Sequence, residues 1–257
     1  KYPILIDQEG GKVSRLNKIV DFSIFSQSYF GNLYKKNKKN FFYYYKIYID
    51  KVSDIFKSVG ININTVPVLD IRRKYGHNII GDRSFSDDSL IVSRLGNFCI
   101  KLFKENNIAT VIKHIPGHGL SNSDSHLTTP VIKNHKTVLI KKDFKVFKKS
   151  KALFAMTAHI IYSAFDPINV ATHSRIIIKE IIRKKIGFKG ILISDDISMK
   201  ALKRGIKENT IKAINAGCNL VLHCNGNINE IYKILKIAPK IDKFTQKKTS
   251  QFYKFLR

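Results

Sequence analysis

Residues 109–119 read Ala-Thr-Val-Ile-Lys-His-Ile-Pro-Gly-His-Gly. A short apolar run is followed at once by two ionisable side chains, and Pro116-Gly117 then breaks the chain. The pattern predicts a buried strand that delivers polar groups at its C-terminal end and passes into a loop. It recurs four times. Ile4-Leu5-Ile6 gives Asp7, Val66-Pro67-Val68-Leu69 gives Asp70, Met156-Thr157-Ala158 gives His159, and Ile191-Leu192-Ile193-Ser194 gives Asp195-Asp196. An open doubly wound sheet concentrates its site at one switch point. A barrel collects residues from the C-terminal ends of many strands into one mouth. Strands that repeatedly end in a polar residue therefore predict a barrel.

Working outward, apolar runs at residues 3–6, 61–69, 109–112, 153–157, 191–193 and 220–223 are rich in Ile, Val and Leu without clean alternation. That is the signature of strands buried on both faces. Helical spacing is expected over 50–58, 87–106, 174–185, 210–216 and 229–237, with Ser174 as an N-cap and Gly187 as a C-cap. Alternating strands and helices predict an α/β protein with a parallel sheet. Six strands are clear where a closed barrel needs eight. A seventh is expected at 130–132, and an eighth before Lys1. No linker or repeat interrupts the pattern, so residues 1–257 are expected to form a single domain.

The chain has 46 Lys+Arg against 19 Asp+Glu, a formal charge of +27. A charge this large suits a polyanion binder. The lysines are spread over the whole chain among many Asn, Ile, Tyr and Phe. They read better as compositional bias, so no nucleic-acid partner is expected. The densest run, Lys35-Lys36-Asn37-Lys38-Lys39-Asn40, is expected in an exposed loop or helix end. No apolar stretch reaches the roughly 20 residues of a membrane helix, and residues 1–7 do not form a signal peptide. Cys99, Cys218 and Cys224 are an odd set without metal spacing. They read as reduced core thiols in a cytoplasmic protein.

The loop after Lys113-His114 continues to His118 and Asp124-Ser125-His126. A turn there brings the Asp124 carboxylate to the His126 imidazole, which orients the ring and raises its proton affinity, as a general acid/base requires. A zinc site of His114, His118, Asp124 and His126 is the rival, but the spacing matches no standard motif and Lys113 repels a cation. The bland alternative is a polar surface loop. Asp195 is suited to act as nucleophile or base if Asp196 or Ser198 takes the capping role at that strand end. Arg83, in Gly81-Asp82-Arg83-Ser84, either clamps a ligand or pairs with Asp82, Asp87 or Asp88. Gly10-Gly11 allows close ligand approach or a tight turn.

Taken in order, Asp7-Gln8-Glu9-Gly10-Gly11, Lys113-His114-Ile115-Pro116-Gly117-His118-Gly119, Asp124-Ser125-His126 and Ser194-Asp195-Asp196 resemble the bacterial β-N-acetylhexosaminidases of glycoside hydrolase family 3, the single-domain type of peptidoglycan recycling. The resemblance implies a (β/α)8 TIM-type barrel and retaining hydrolysis of terminal β-linked N-acetylglucosamine from muropeptide fragments. It places the nucleophile on Asp195, the acid/base on His126 paired with Asp124, and sugar binding on Asp7, Arg15, Arg83, Lys113 and His114. It implies no cofactor and no metal. Against the family pattern, this chain starts almost at the Asp-Gln-Glu motif, as if the first βα unit were lacking. Lys-rich sequence stands where closing helices are expected, and Asn219 replaces an Asp. A broader β-glycosidase, a glycoside phosphorylase and a non-catalytic polyanion binder are the alternatives.

Overall fold

The computed structural model describes residues 2–73, 79–121, 123, 125, 127–148 and 150–256. Its strands are β1 Leu5–Ile6, β2 Ile63–Asn64, β3 Ala109–Ile115, β4 Val131–Ile132, β5 Phe154–Thr157, β6 Ile161–Tyr162, β7 Ile191–Asp196 and β8 Leu220–Leu222. The main sheet has the order β1-β2-β3-β5-β7-β8. Every neighbouring pair in it is parallel. Strand order follows chain order without reversal, which is the winding of a barrel rather than of a doubly wound sheet. Among the described residues no pairing joins β8 to β1.

The strand expected at 130–132 exists as β4, but it is not a barrel strand. It pairs with β6 in a separate two-stranded sheet. The loop after β3 folds back over the loop after β5: Ile161 N donates to Pro130 O at 3.0 Å and Ser163 N to Ile132 O at 3.0 Å. The small sheet thus builds up the loop end of the main sheet.

In the central strands β3 and β5, and along β7 up to Ser194, both faces are buried, which explains the missing alternation there. Val111, Met156 and Ile193 share one cluster with Phe252 and Leu256. The residues next to them, Ile112, Ala155 and Leu192, point into the helix-covered core. Helices α1 Gln27–Lys36, α2 Lys38–Ser58 and α3 Ser89–Glu105 build much of that core. Only the second half of α2 was legible in the sequence. Its first turns, Phe41-Phe42-Tyr43-Tyr44-Tyr45, have middling helix propensity. Phe41, Tyr45, Ile49, Val52 and Phe56 nevertheless recur at helical spacing and are buried. Tyr45 stacks on Phe41 within α2 at a centroid distance of 5.2 Å, and its tilted contact with Phe30 at 4.5 Å joins α2 to α1. The Lys35–Asn40 run is the junction between these helices, and Asn37 caps α2 by accepting from Asn40 N.

Past β3 come α4 Lys136–Lys141, a π-type helix Ile177–Ile186, α5 Ile206–Ala216, α6 Ile228–Ile237 and α7 Lys243–Phe255. Ser174 caps the π-type helix through Ile177 N, and Gly187 ends it at a φ of 81°. The Lys-rich C-terminal sequence is not without a closing helix. It forms α7, whose Phe252 is buried in the second face of the sheet. Asn219 gains a structural account here. Its Oδ1 accepts from Leu192 N and Arg183, and its Nδ2 donates to Thr245 in α7. A carboxylate keeps the two acceptor bonds and has no N–H for Thr245.

Candidate active site

The C-terminal ends of the strands converge on a pocket of about 410 Å³. Asp7 enters it from beyond β1, Lys113 and His114 from β3, Asp195 and Asp196 from β7, and Arg83 from the loop after β2. Arg15 also lines it and is exposed. Arg15 is placed by Gln8, whose buried Oε1 accepts from Arg15 N at 2.7 Å and Leu16 N at 3.2 Å. Six of the eight residues singled out for sugar binding and catalysis therefore sit together. The other two, Asp124 and His126, lie outside the described residues. Between them Ser125 is buried, with its Oγ 3.3 Å from His118 Nε2.

The pocket is organised around Glu9, a residue that the sequence reading gave no role. Glu9 accepts both Nε and Nη2 of Arg83 at 2.8 Å, and its Oε1 is 2.7 Å from Lys113 Nζ. Lys113 Nζ also reaches Asp7 Oδ1 and Thr65 Oγ1, each at 2.9 Å. Thr65 further donates to Asp7. Arg83 therefore pairs with none of the three acids considered for it. Asp82 faces Lys12 at 3.3 Å, Asp87 faces Lys35 at 2.9 Å, and Asp88 caps α3 through Leu90 N. Glu9 is 74 positions from Arg83. Its signal in the sequence was only that it sits two residues past a strand-end Asp.

Burial would raise the Glu9 carboxyl, but Lys113 and Arg83 beside it bring it down to about 2. Asp7 is likewise held below its ordinary range: burial opposes ionisation, and Lys113 and Thr65 overcome it. Glu9 and Asp7 in turn overcome the effect of burial on Lys113 and keep it charged. The paired glycines serve the turn rather than ligand approach. Gly10 has a φ of 83°, and a Cβ there would lie 2.2 Å from Phe25 O.

Asp70 does not line the pocket. Fully buried, it accepts from His114 Nδ1 and from His118 N, both at 2.6 Å. A carboxylate partner assigns the proton to Nδ1 and leaves Nε2 of His114 for other partners. His159 is also buried away from the pocket. Its Nε2 faces the backbone carbonyl of Asp196 at 2.9 Å, and its Nδ1 faces the Thr172 hydroxyl at 2.7 Å. A carbonyl only accepts, so Nε2 carries the proton, and the ring fixes the end of β7.

The sequence reading has Asp196, with Ser198 as the alternative, cap a helix after this strand; a turn follows instead, and α5 begins only at Ile206, but the Asp196 side chain is occupied in that turn. Its carboxylate accepts from Ser198 N, Ser198 Oγ and Cys224 N. Asp195 is left facing the pocket and, among the described residues, its carboxylate accepts one bond, from Asp196 N at 2.8 Å. Burial works against its charge, and His159, His114, the Asp196 N–H and Lys113 together hold its pKa below the ordinary value. An ionised, lightly bonded carboxylate among fixed donors is suited to nucleophilic attack. Cys224 is a correction: Cys99 and Cys218 are buried, but Cys224 is exposed at the pocket. Among the described residues no cluster of three metal-binding side chains occurs.

These shifts carry a pH prediction. Burial depresses His118 to about 4, from an ordinary 6.5, helped by His114. The unfolded chain then binds this proton more readily than the fold, so stability falls as pH drops from about 6.5 to 4. Glu9, depressed to about 2 from 4.5, contributes stability that is lost from about pH 4.5 down to 2. Urea unfolding across pH 2–8 should show two successive losses; His118→Asn should flatten the upper one. An unchanged upper loss in that variant would remove His118 from this account.

The chain matches the glycosyl hydrolase family 3 N-terminal domain over residues 2–251. It is 35% identical over 235 residues to a β-hexosaminidase of Haemophilus influenzae, covering 88% of this chain and 65% of that protein. A β-hexosaminidase of Haemophilus ducreyi is 33% identical over 228 residues, covering 86% and 65%. The chain thus spans just under two thirds of the length of these curated relatives. Among solved structures it is similar to NagZ from Neisseria gonorrhoeae in complex with N-trifluoroacetyl-D-glucosamine, with a TM-score of 0.86 and 26% identity over 97% of this chain and 73% of that one.

Proposed function

The chain belongs to glycosyl hydrolase family 3, and on that premise we propose that it is a retaining exo-β-N-acetylglucosaminidase acting on peptidoglycan fragments during cell-wall recycling. The observation that carries this reading is the placement of Asp195, Asp7, Lys113 and His114 in one pocket at the strand ends. The β-hexosaminidase relatives and the glucosamine-bound structural neighbour support the sugar class.

In the proposed reaction an oxygen of Asp195 forms a bond to C1 of the N-acetylglucosamine as the bond from C1 to the leaving oxygen breaks. His126, held by Asp124, gives its proton to that oxygen. The ring then takes a proton from water, the water oxygen attacks C1, and Asp195 departs with net retention. Asp7, Lys113, His114, Arg15 and the remaining N–H groups of Arg83 hold the ring hydroxyls. The charges of Asp7, Lys113 and Arg83 are in place before the transition state forms, so reorganisation costs little there. We read residues 1–257 as one barrel domain and place the reaction in the cytoplasm, on its free cysteines. No helix among the described residues is long and apolar enough to cross a membrane.

The test is turnover of 4-nitrophenyl β-N-acetylglucosaminide, with the anomer of the first product read by NMR. Release of the β-anomer supports the proposal; the α-anomer sinks the retaining mechanism. A folded chain without turnover that binds nucleic acid with a steep salt dependence instead points to the polyanion reading. His126→Ala is expected to slow glycosides with poor leaving groups at least about 100-fold, and nitrophenyl glycosides much less, since acid catalysis matters most where the leaving oxygen is basic. Equal losses on both would remove His126 as proton donor.

A further inference from the structure

Among the described residues no side chain donates to the Asp195 carboxylate; its one donor is the N–H of Asp196. The aim of this carboxylate is therefore set by the main chain that carries it. A misplacement of about 1 Å can cost roughly a hundredfold in rate, so whatever fixes that main chain bears on the attack.

The peptide group that follows Asp196 is held at both ends. Ile197 N donates to Leu222 O at 2.9 Å, and the Asp196 carbonyl accepts from Met199 N at 3.1 Å and from His159 Nε2 at 2.9 Å. These three anchors differ in what stands behind them. Met199 belongs to the same turn and moves with it. Leu222 belongs to β8, the last strand of the sheet order. His159 is the one side chain among them, it is fully buried, and it follows β5, which pairs with β3 on one side and β7 on the other.

The ring is fixed in its turn. With the proton on Nε2, Nδ1 is a bare lone pair and takes the hydroxyl proton of Thr172 at 2.7 Å, in preference to the Ala158 carbonyl at 3.2 Å from that hydroxyl. Thr172 Oγ1, its single proton spent, accepts from the Thr157 hydroxyl at 2.8 Å. Thr157 and Thr172 are both fully buried. One directed row of hydrogen bonds thus starts on β5 in the middle of the sheet and ends on the carbonyl one residue past Asp195.

We propose that His159 is a positioning residue for the nucleophile: its Nε2–H anchors the Asp196 carbonyl and so aims the Asp195 carboxylate into the pocket. The inference rests on the glycosidase reading of Asp195.

Two amide variants separate the two ends of the ring. The Gln side chain reaches as far as Nε2 and still donates to the Asp196 carbonyl. The Asn side chain reaches only as far as Nδ1, so it keeps Thr172 and releases the carbonyl. With each protein shown folded by circular dichroism, His159→Asn is expected to lower kcat on 4-nitrophenyl β-N-acetylglucosaminide about thirtyfold, with KM within about threefold. His159→Gln should stay within about threefold in both constants. Equal losses in the two variants, or none in either, overturn the proposal, since a residue that only fills the core does not distinguish the two reaches. Nitrogen NMR of the wild type at pH 7 should show the Nε2–H tautomer at His159; the Nδ1–H tautomer overturns the proposal whether or not the variants fold. Absence of turnover by the wild type counts against the glycosidase reading. Hydrogen exchange at the Asp196 N–H then decides the positioning by itself: faster exchange in His159→Asn than in His159→Gln keeps it, and equal exchange overturns it.

Discussion

Asp195→Ala is expected to reduce kcat on 4-nitrophenyl β-N-acetylglucosaminide at least about a thousandfold, since a nucleophile's removal forfeits the covalent route itself. Sugar binding should stay within about threefold, because the ring hydroxyls are held by other residues. The fold should also survive. Among the described residues Asp195 accepts one hydrogen bond, from the N–H of its own neighbour Asp196, whereas Asp196 and Asp70 each hold several segments together. The residual rate and a binding isotherm on the same preparation check both halves. Residual activity above about a tenth of wild type would show that another group attacks C1. Loss of binding in parallel with rate would make Asp195 a sugar ligand.

Glu9→Ala is expected to cost the fold about 3–5 kcal/mol, the range found when one partner of a buried ion pair is removed. Glu9 is the anion shared by Lys113 and Arg83, whose side chains are 3% and 9% exposed. Without it two cations remain buried side by side, with Asp7 half-exposed as the acid left to Lys113. For a chain of this size the loss lowers Tm by roughly 10 °C. Glu9→Gln preserves shape and two acceptor lone pairs but not charge, so it should fall between wild type and alanine. Thermal unfolding of the three proteins decides the matter. Equal Tm values would mean that water or movement of Lys113 replaces the carboxylate. Both variants should also lose turnover, because Lys113 and Arg83 face the pocket.

Much of this arrangement was readable because it depends on short-range pattern. A strand buried on both faces must be apolar along its length, so its first polar residue marks where it emerges. That rule located Asp7, Lys113, His114 and Asp195 before any pairing was known. It misplaced two others in kind. Asp70 and His159 also end apolar runs, yet both are buried behind the pocket, where they orient His114 and the end of β7. Alternation decides which side a strand-end residue faces, and in a strand without polar–apolar alternation the sequence carries no mark of that choice.

The parallel α/β winding, the loop end that carries the candidate site and the caps at Ser174 and Gly187 are written in the chemistry of a few adjacent residues. It takes the assembled fold to make Glu9 rather than Asp82, Asp87 or Asp88 neutralise Arg83, to pair β4 with β6 beside the main sheet, and to form α7 from the lysine-rich tail against the sheet. Those outcomes join residues far apart in the chain. A buried cation takes the carboxylate that the fold brings within 3 Å, and an amphipathic tail takes the apolar face that the rest of the fold leaves uncovered.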